Sequence, residues 1–119
     1  MRNLIDKVKH FIQRGRRGYD ETSHWSADNY LSGVMAGVLN DLADYSHGTP
    51  LSEDYIIDNS DVSNPEVDHE KWIAHIRSAA DILQRYHDYQ FDSEFDEPTY
   101  DEMKEVFDWL GEYWGALWD

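Results

Sequence analysis

The stretch SADNYLSGVMAGVLNDLADY, residues 26–45, decides the fold class because its apolar residues recur every three or four positions. That spacing predicts an α-helix, and Ser26 at its start and Asp28 in its first turn are typical of a helix N-terminus. Gly33 and Gly37 share one helix face, which predicts that a second helix approaches closely there. The broad apolar face that should point inward comprises Tyr30, Leu31, Val34, Met35, Val38, Leu39 and Leu42.

Helical spacing recurs before and after this stretch. A short amphipathic helix is predicted over residues 3–14, and the sequence GRRG at residues 15–18 should end it. The Asn-Pro pair at residues 64–65 predicts the start of a third helix, and Thr99, with Glu102 as its capping-box partner, predicts the start of a fourth. The predicted apolar side chains of these three helices are Leu4, Ile5, Val8, Phe11 and Ile12, then Trp72, Ile73, Ile76, Ala80, Leu83 and Tyr86, then Met103, Val106, Phe107, Leu110, Trp114 and Leu117.

The remaining segments predict loops rather than strands. Residues 51–64 are polar, with one helical turn expected near Ser52–Ile57, and residues 88–97 form an acidic and aromatic connection. No segment alternates in polarity for long enough to indicate a strand, and no repeat or linker divides the chain. The sequence therefore predicts one all-α domain over residues 1–119, a small helical bundle of three longer helices plus a short N-terminal amphipathic helix.

Charge is distributed very unevenly along this chain, whose net charge is −15 over 119 residues. Residues 1–17 hold six basic residues and one acid, whereas residues 18–119 hold four basic and 24 acidic residues. The acidic body should repel nucleic acid over most of its surface and attract proteins with basic surfaces, unless its acidity serves only solubility. The basic segment is expected to dock its apolar stripe on the acidic body, with Arg16 and Arg17 neutralised locally.

Composition also bears on function and location. The lack of Cys excludes disulfides, thiolate zinc sites and a cysteine nucleophile. No apolar run approaches the ~20 residues that cross a bilayer, and the N-terminus lacks the apolar stretch of a signal peptide, so we expect a cytoplasmic protein with no membrane partner. The six His lack the spacings of zinc enzymes, and no nucleotide-binding or serine-hydrolase motif occurs. We therefore predict no catalytic residue, no cofactor and no metal, and an enzyme is the less favoured interpretation.

Two regions are predicted as binding surfaces. The first is a Gly-flanked cationic loop that runs into aromatic residues, namely Arg16, Arg17, Trp25 and Tyr30. Such a loop is suited to gripping phosphate or carboxylate. The alternative is that Arg16 and Arg17 pair with acidic neighbours and that Trp25 packs the start of the helix against the core. The second is a carboxylate stripe on the last helix, with spacings of four, three and four residues, namely Asp101, Glu105, Asp108 and Glu112.

One set of motifs resembles small phage-encoded proteins of unknown function, in which RGY or RGW precedes W-x-x-D-x-Y/F-L, a helix and an HGYP-like turn. The matching residues here are Arg17-Gly18-Tyr19, Trp25, Asp28, Tyr30-Leu31 and His47-Gly48-Thr49-Pro50. The C-terminal YWGALWD, residues 113–119, also resembles those proteins, which often end on LWD. The resemblance spans about half of the chain. It departs at residues 48–50, where the usual aromatic residue is missing, and at the acidic loop 51–64.

Together with the charge, this resemblance implies a phage accessory protein that acts in the cytoplasm of the infected host cell. It is expected to bind a host or phage protein with a basic surface and to inhibit or redirect it, a defence system for example, by presenting carboxylates as DNA presents phosphates. One alternative is a nucleotide- or metal-handling protein, by sequestration or Mg-dependent hydrolysis, that uses Arg16, Arg17 and the face of the helix over residues 26–45. For the hydrolysis, Asp41 and Asp44 are the candidate metal ligands. Another is a structural or assembly component of the virion. A homo-oligomer is compatible with all three.

Overall fold

Helices dominate the fold, as the sequence predicts. A computed structural model describes residues 2–89 and 96–118, and within them lie four α-helices and one two-stranded sheet. Most of the predicted connection over residues 88–97 lies outside the described residues. The prediction of a mostly helical chain is confirmed, but its finer architecture needs two corrections, one at the N-terminal helix and one before the third helix.

The N-terminal helix α1 spans Arg2–Arg17 and is longer than predicted. Gly15 does not end it, because a glycine inside a helix costs only about 1 kcal/mol relative to Ala. Gly18 ends it instead: its φ of 80° is one that residues with a side chain rarely adopt, and its amide donates to the Arg14 carbonyl at 2.9 Å. At 16 residues, α1 is longer than the last helix, which has 14, so the expected division into three longer helices and one short helix is not matched exactly.

The other three helices form the body of the protein. Helix α2 spans Ala27–Tyr45 and follows a short 3₁₀ turn at Ser23–Ser26. Ser26 lies at the N-cap position, as predicted, but its side chain makes no capping bond. Helix α3 spans His69–Tyr89, and helix α4 spans Tyr100–Tyr113. The predicted capping box of α4 is confirmed, since the Thr99 side chain accepts from the Glu102 amide and Glu102 bonds the Thr99 amide in return.

A small antiparallel sheet replaces part of the predicted loop. Strand β1 spans Ile56–Asp58 and pairs with β2, Glu66–Val67. Strands of three and two residues are too short to show a period of two in the sequence, so polarity alternation could not reveal them. Because Glu66 and Val67 pair with β1, α3 begins at His69 and not at the Asn-Pro pair four residues earlier.

The core forms around α3, which packs against α2 on one side and α4 on the other. The small residues Ala36 and Ala43 bring α2 close to α3. Gly33 allows the same approach, because a Cβ there would lie 2.8 Å from Nδ1 of His87. The fully buried side chains Trp72, Tyr55, Ile76 and Leu83 fill the centre. Tyr55 lies in residues 51–64, which were predicted to form a polar loop, so its burial was not expected.

Helix α1 extends away from the body: none of its Cα atoms comes within 8 Å of a Cα atom of the other three helices. The Cα radius of gyration is 17.9 Å, whereas a compact chain of this length has about 13–14 Å. The expected docking of the apolar stripe on the body is therefore not observed. Its side chains are exposed, Phe11 to 71%.

Candidate protein-binding surfaces

The predicted carboxylate stripe lies on the solvent-facing side of α4. Asp101, Glu105, Asp108 and Glu112 are all exposed. Lys104 Nζ contacts Asp108 Oδ2 at 2.6 Å, and this hydrogen bond raises the pKa of the lysine. Within residues 2–89 and 96–118, no basic side chain pairs with the other three carboxylates of the stripe. The stripe is thus a concentrated and mostly uncompensated negative surface.

Other carboxylates serve the fold. Glu102 caps α4 and accepts from Arg85 Nη2 at 2.5 Å, and the backbone amide of Thr99 is the largest cause of its lowered pKa. Asp54 accepts from the buried Tyr113 hydroxyl, whose pKa is raised to about 12 by burial first and by this bond second. The acids of α4 therefore differ in their surroundings: Glu102 faces α3, and the stripe is exposed to solvent.

Asp41 and Asp44, the candidate ligands of the metal-handling alternative, are not suitably arranged for a cation. Asp44 Oδ1 accepts from Arg77 Nη2 at 2.5 Å, so a cation would have to displace an arginine, and Asp41 is exposed. In the part of the chain that the structure describes, no group of three or more His, Asp or Glu side chains could hold a metal ion. No described helix is long and apolar enough to pass through a bilayer.

The predicted cationic region is only partly assembled. The Arg17 guanidinium lies 4.6 Å above the Tyr19 ring, and its Nε donates to the Tyr19 carbonyl at 3.1 Å. Tyr30 donates to the Gly18 carbonyl and lines the same shallow hollow as Arg17. Arg16 is exposed. Trp25 lies in the 3₁₀ turn, but its side chain is outside what the structure describes. Arg17 is thus held by an aromatic ring, not by a carboxylate.

Arg14, which the sequence did not single out, anchors α1 to the following loop. Its Nη1 donates to Oδ2 of Asp20 at 2.7 Å. Asp20 is only 6% exposed, and it also accepts from the hydroxyl and the amide of Thr22, at 2.6 and 2.8 Å. The Thr22 hydroxyl is the largest cause of a pKa far below the usual aspartate range. A second ion pair, between Lys9 Nζ and Glu21 Oε1 at 2.9 Å, also connects α1 to this loop.

An apolar groove between α2 and α4 is the feature that the sequence prediction missed. Val34, Val38, Phe107 and Trp114 were predicted to point inward, but all are exposed, Trp114 to 64%. The prediction fails because α2 and α4 each pack against α3, whereas no Cα atom of α2 lies within 8 Å of one of α4, so part of each apolar face is left uncovered. The groove is lined by Val34, Met35, Val38, Leu42, Leu110 and Trp114.

The width of the apolar face on α2 is the sequence signal that could have revealed this groove. On α2, apolar residues occupy both the arc that packs against α3, around Ala36 and Leu39, and the neighbouring arc of Leu31, Val34 and Val38. One helix neighbour covers a stripe of about 100°, so a wider face requires a second neighbour.

Comparisons with known proteins add no constraint on these surfaces. No protein-family model matches the chain, and neither a curated protein nor a solved structure matches it.

Proposed function

We propose that this protein acts by stoichiometric binding of another protein, and that the α4 stripe is its binding surface. The observation that carries the proposal is the exposure of Asp101, Glu105 and Glu112 without a basic partner in the described chain. Carboxylates spaced three or four residues apart on a helix repel each other by a few tenths of a kcal/mol per pair. Scattered acids would give solubility without this repulsion, so the clustering favours a role in recognition.

The geometry of the stripe suits a basic partner. One helical turn advances about 5.4 Å, so successive stripe carboxylates form a row along the helix axis. A protein surface that holds nucleic acid presents Lys and Arg to a comparable row of phosphates. A carboxylate row that enters such a surface displaces the counterions there, as DNA does. The proposed partner is therefore a protein with a basic groove or channel, of the kind that handles nucleic acid.

The setting we propose is a phage-infected cell, where the protein inhibits or redirects a host protein, such as a component of a defence system. The resemblance of the motifs around Arg17-Gly18-Tyr19 and of the C-terminal LWD to small phage-encoded proteins supports that setting. Occupation of a basic channel prevents nucleic acid from entering it, so inhibition follows from binding alone and requires no catalytic residue.

A capture experiment with matched variants tests the proposal. The wild-type chain, immobilised at low salt, should retain a basic protein from a lysate of a host bacterium. The stripe variant carries Asp101→Asn, Glu105→Gln, Asp108→Asn and Glu112→Gln. The control variant removes the same charge elsewhere on the exposed surface, through Glu53→Gln, Glu66→Gln, Glu70→Gln and Asp81→Asn. Capture should be lost with the stripe variant and kept with the control. Equal capture by both variants would contradict the stripe as the binding surface.

A further inference from the structure

The apolar stripe of α1 is not covered by any described part of its own chain. Its five members are between 50% and 71% exposed, namely Leu4, Ile5, Val8, Phe11 and Ile12. The other faces of α1 carry the basic residues of the segment, so the helix is both amphipathic and cationic. A helix with this pattern is stable when its stripe packs against an apolar surface, since isolated helices of this length are marginal in water.

The body formed by α2, α3 and α4 has an uncovered apolar groove that could receive such a helix. Helices α2 and α4 run in the same direction, because α3 is antiparallel to both: Asn29 near the start of α2 and Glu102 near the start of α4 contact His87 and Arg85 near the end of α3. Between α2 and α4 lies the apolar groove with Val38 and Trp114, and a second hollow lined by Leu31 and Phe107 adjoins it at Met35, which lines both. Three helices with an open groove of this kind lack the fourth member of a bundle.

The α1 helix of the same chain is held away from this groove. Arg14 pairs with the buried Asp20, Gln13 exchanges hydrogen bonds with Glu21, and the Tyr30 hydroxyl donates to the Gly18 carbonyl. These contacts determine the direction of α1 where it leaves the body. If α1 folded back onto its own groove, the Arg14–Asp20 pair would break. The buried Asp20 carboxylate would then lose its hydrogen bond from Arg14.

We propose that the groove between α2 and α4 receives α1 of a second copy, so that two chains form a reciprocal dimer. Lengths agree, since 16 residues of α1 extend about 24 Å and 19 residues of α2 about 28 Å. Because each chain gives its α1 to the groove of the other, both copies make the same contacts. Both grooves are then filled, so the assembly stops at two chains.

The charges of α1 and of the groove's surroundings favour α1 of a second copy as the occupant. Helix α2 carries three carboxylates and no basic residue, and two acidic residues, Asp28 and Glu97, line the hollow that adjoins the groove. The cationic α1 would therefore enter an acidic neighbourhood as well as an apolar groove. An anionic membrane would attract α1 but repel the acidic body, which favours a second copy over a lipid surface.

Crosslinking between marked copies tests this dimer directly, because the chain has no cysteine of its own. One preparation carries Val8→Cys in the α1 stripe, and another carries Val38→Cys in the groove. Mixed and treated with a bismaleimide, they should give a product that joins the two kinds of chain. Ser60→Cys, an exposed position on a distant loop, replaces Val38→Cys as the control and should give little product.

Sedimentation equilibrium provides the second measurement. The wild-type chain should be a dimer at micromolar concentration, and Phe11→Asp or Val38→Asp should make it a monomer. Both side chains are exposed in the single chain, so the variants should keep a cooperative unfolding transition. A monomeric wild-type chain would overturn the proposal, and so would a monomer that binds phosphatidylglycerol vesicles. Crosslinks between two Val8→Cys chains in place of the mixed product would also contradict it. In a third preparation, one chain carries both Val8→Cys and Val38→Cys, and crosslinks that form only within that chain would place α1 on its own groove instead.

Discussion

Arg14 and Asp20 form the ion pair that sets the direction of α1, with Nη1 and Oδ2 2.7 Å apart. The pair is asymmetric, because the carboxylate is buried and the guanidinium is half exposed. A buried carboxylate is stable only with such partners, so the position of the helix depends on the charge of this single residue.

Asp20→Asn should loosen the junction between α1 and the body. The folded-state pKa of Asp20 is lowered, so its contribution to stability is present above the ordinary aspartate range and is lost as the pH falls through the folded value. At neutral pH, the variant should therefore show faster amide hydrogen exchange in residues 9–17. Asp6→Asn, an exposed acid on the same helix, is the control and should leave exchange unchanged. Equal exchange in both variants would mean that the ion pair does not hold α1.

Gly33→Ala and Gly37→Ala should change stability in opposite directions. A Cβ at Gly33 would meet the His87 ring at 2.8 Å, and that ring is held by its bond to the Asn29 carbonyl, so we expect a loss of about 1–3 kcal/mol. A Cβ at Gly37 would meet no atom within 4 Å, so the better helix propensity of Ala should add up to about 1 kcal/mol. Urea unfolding measures both, and a loss of similar size in both variants would contradict the packing described for Gly33.

Alkaline pH should destabilise the body through Tyr113. Its pKa is raised from 10.0 to about 12, so the folded state favours the protonated hydroxyl. The corresponding stability is present below pH 10 and is lost as the pH rises from about 10 to 12. We expect the free energy of unfolding to decrease by about 1 kcal/mol. This is less than the pKa shift alone would give, because Asp54, which accepts the hydrogen bond, is exposed and its charge is screened by solvent. Urea unfolding at pH 9 and pH 12 should show a smaller decrease in Tyr113→Phe, and an unchanged decrease would assign the alkaline loss to other groups.

Local signals predicted much of the fold. The capping box of Thr99 and Glu102 and the helical periods of α2 and α3 depend on residues within one or two turns of each other, so they are visible in the sequence. The carboxylate stripe was predictable for the same reason, since its exposure follows from the position of Val106 and Leu110 on the opposite side of α4.

The features that the sequence did not predict depend on contacts between distant residues. Tyr55 is buried because Trp72, His75 and Trp109 surround it, and nothing in its own polar loop indicates this. The exposure of Val38 and Trp114 depends on the separation of α2 from α4, which is a property of how both pack on α3. Gly15 continues the helix whereas Gly18, with a φ of 80°, ends it, and the sequence GRRG does not show which of the two glycines does so.

The salt dependence of partner binding tests the central claim, that the α4 stripe recognises a basic protein. With the captured partner purified, its affinity for the wild-type chain should fall steeply as salt rises, because the contacts between exposed charges are screened over ~8–10 Å at moderate ionic strength. The stripe variant, neutralised at Asp101, Glu105, Asp108 and Glu112, should bind about tenfold more weakly at low salt and lose less affinity as salt rises. The control variant should follow the wild type. A stripe variant with the affinity and salt slope of the wild type would contradict the account.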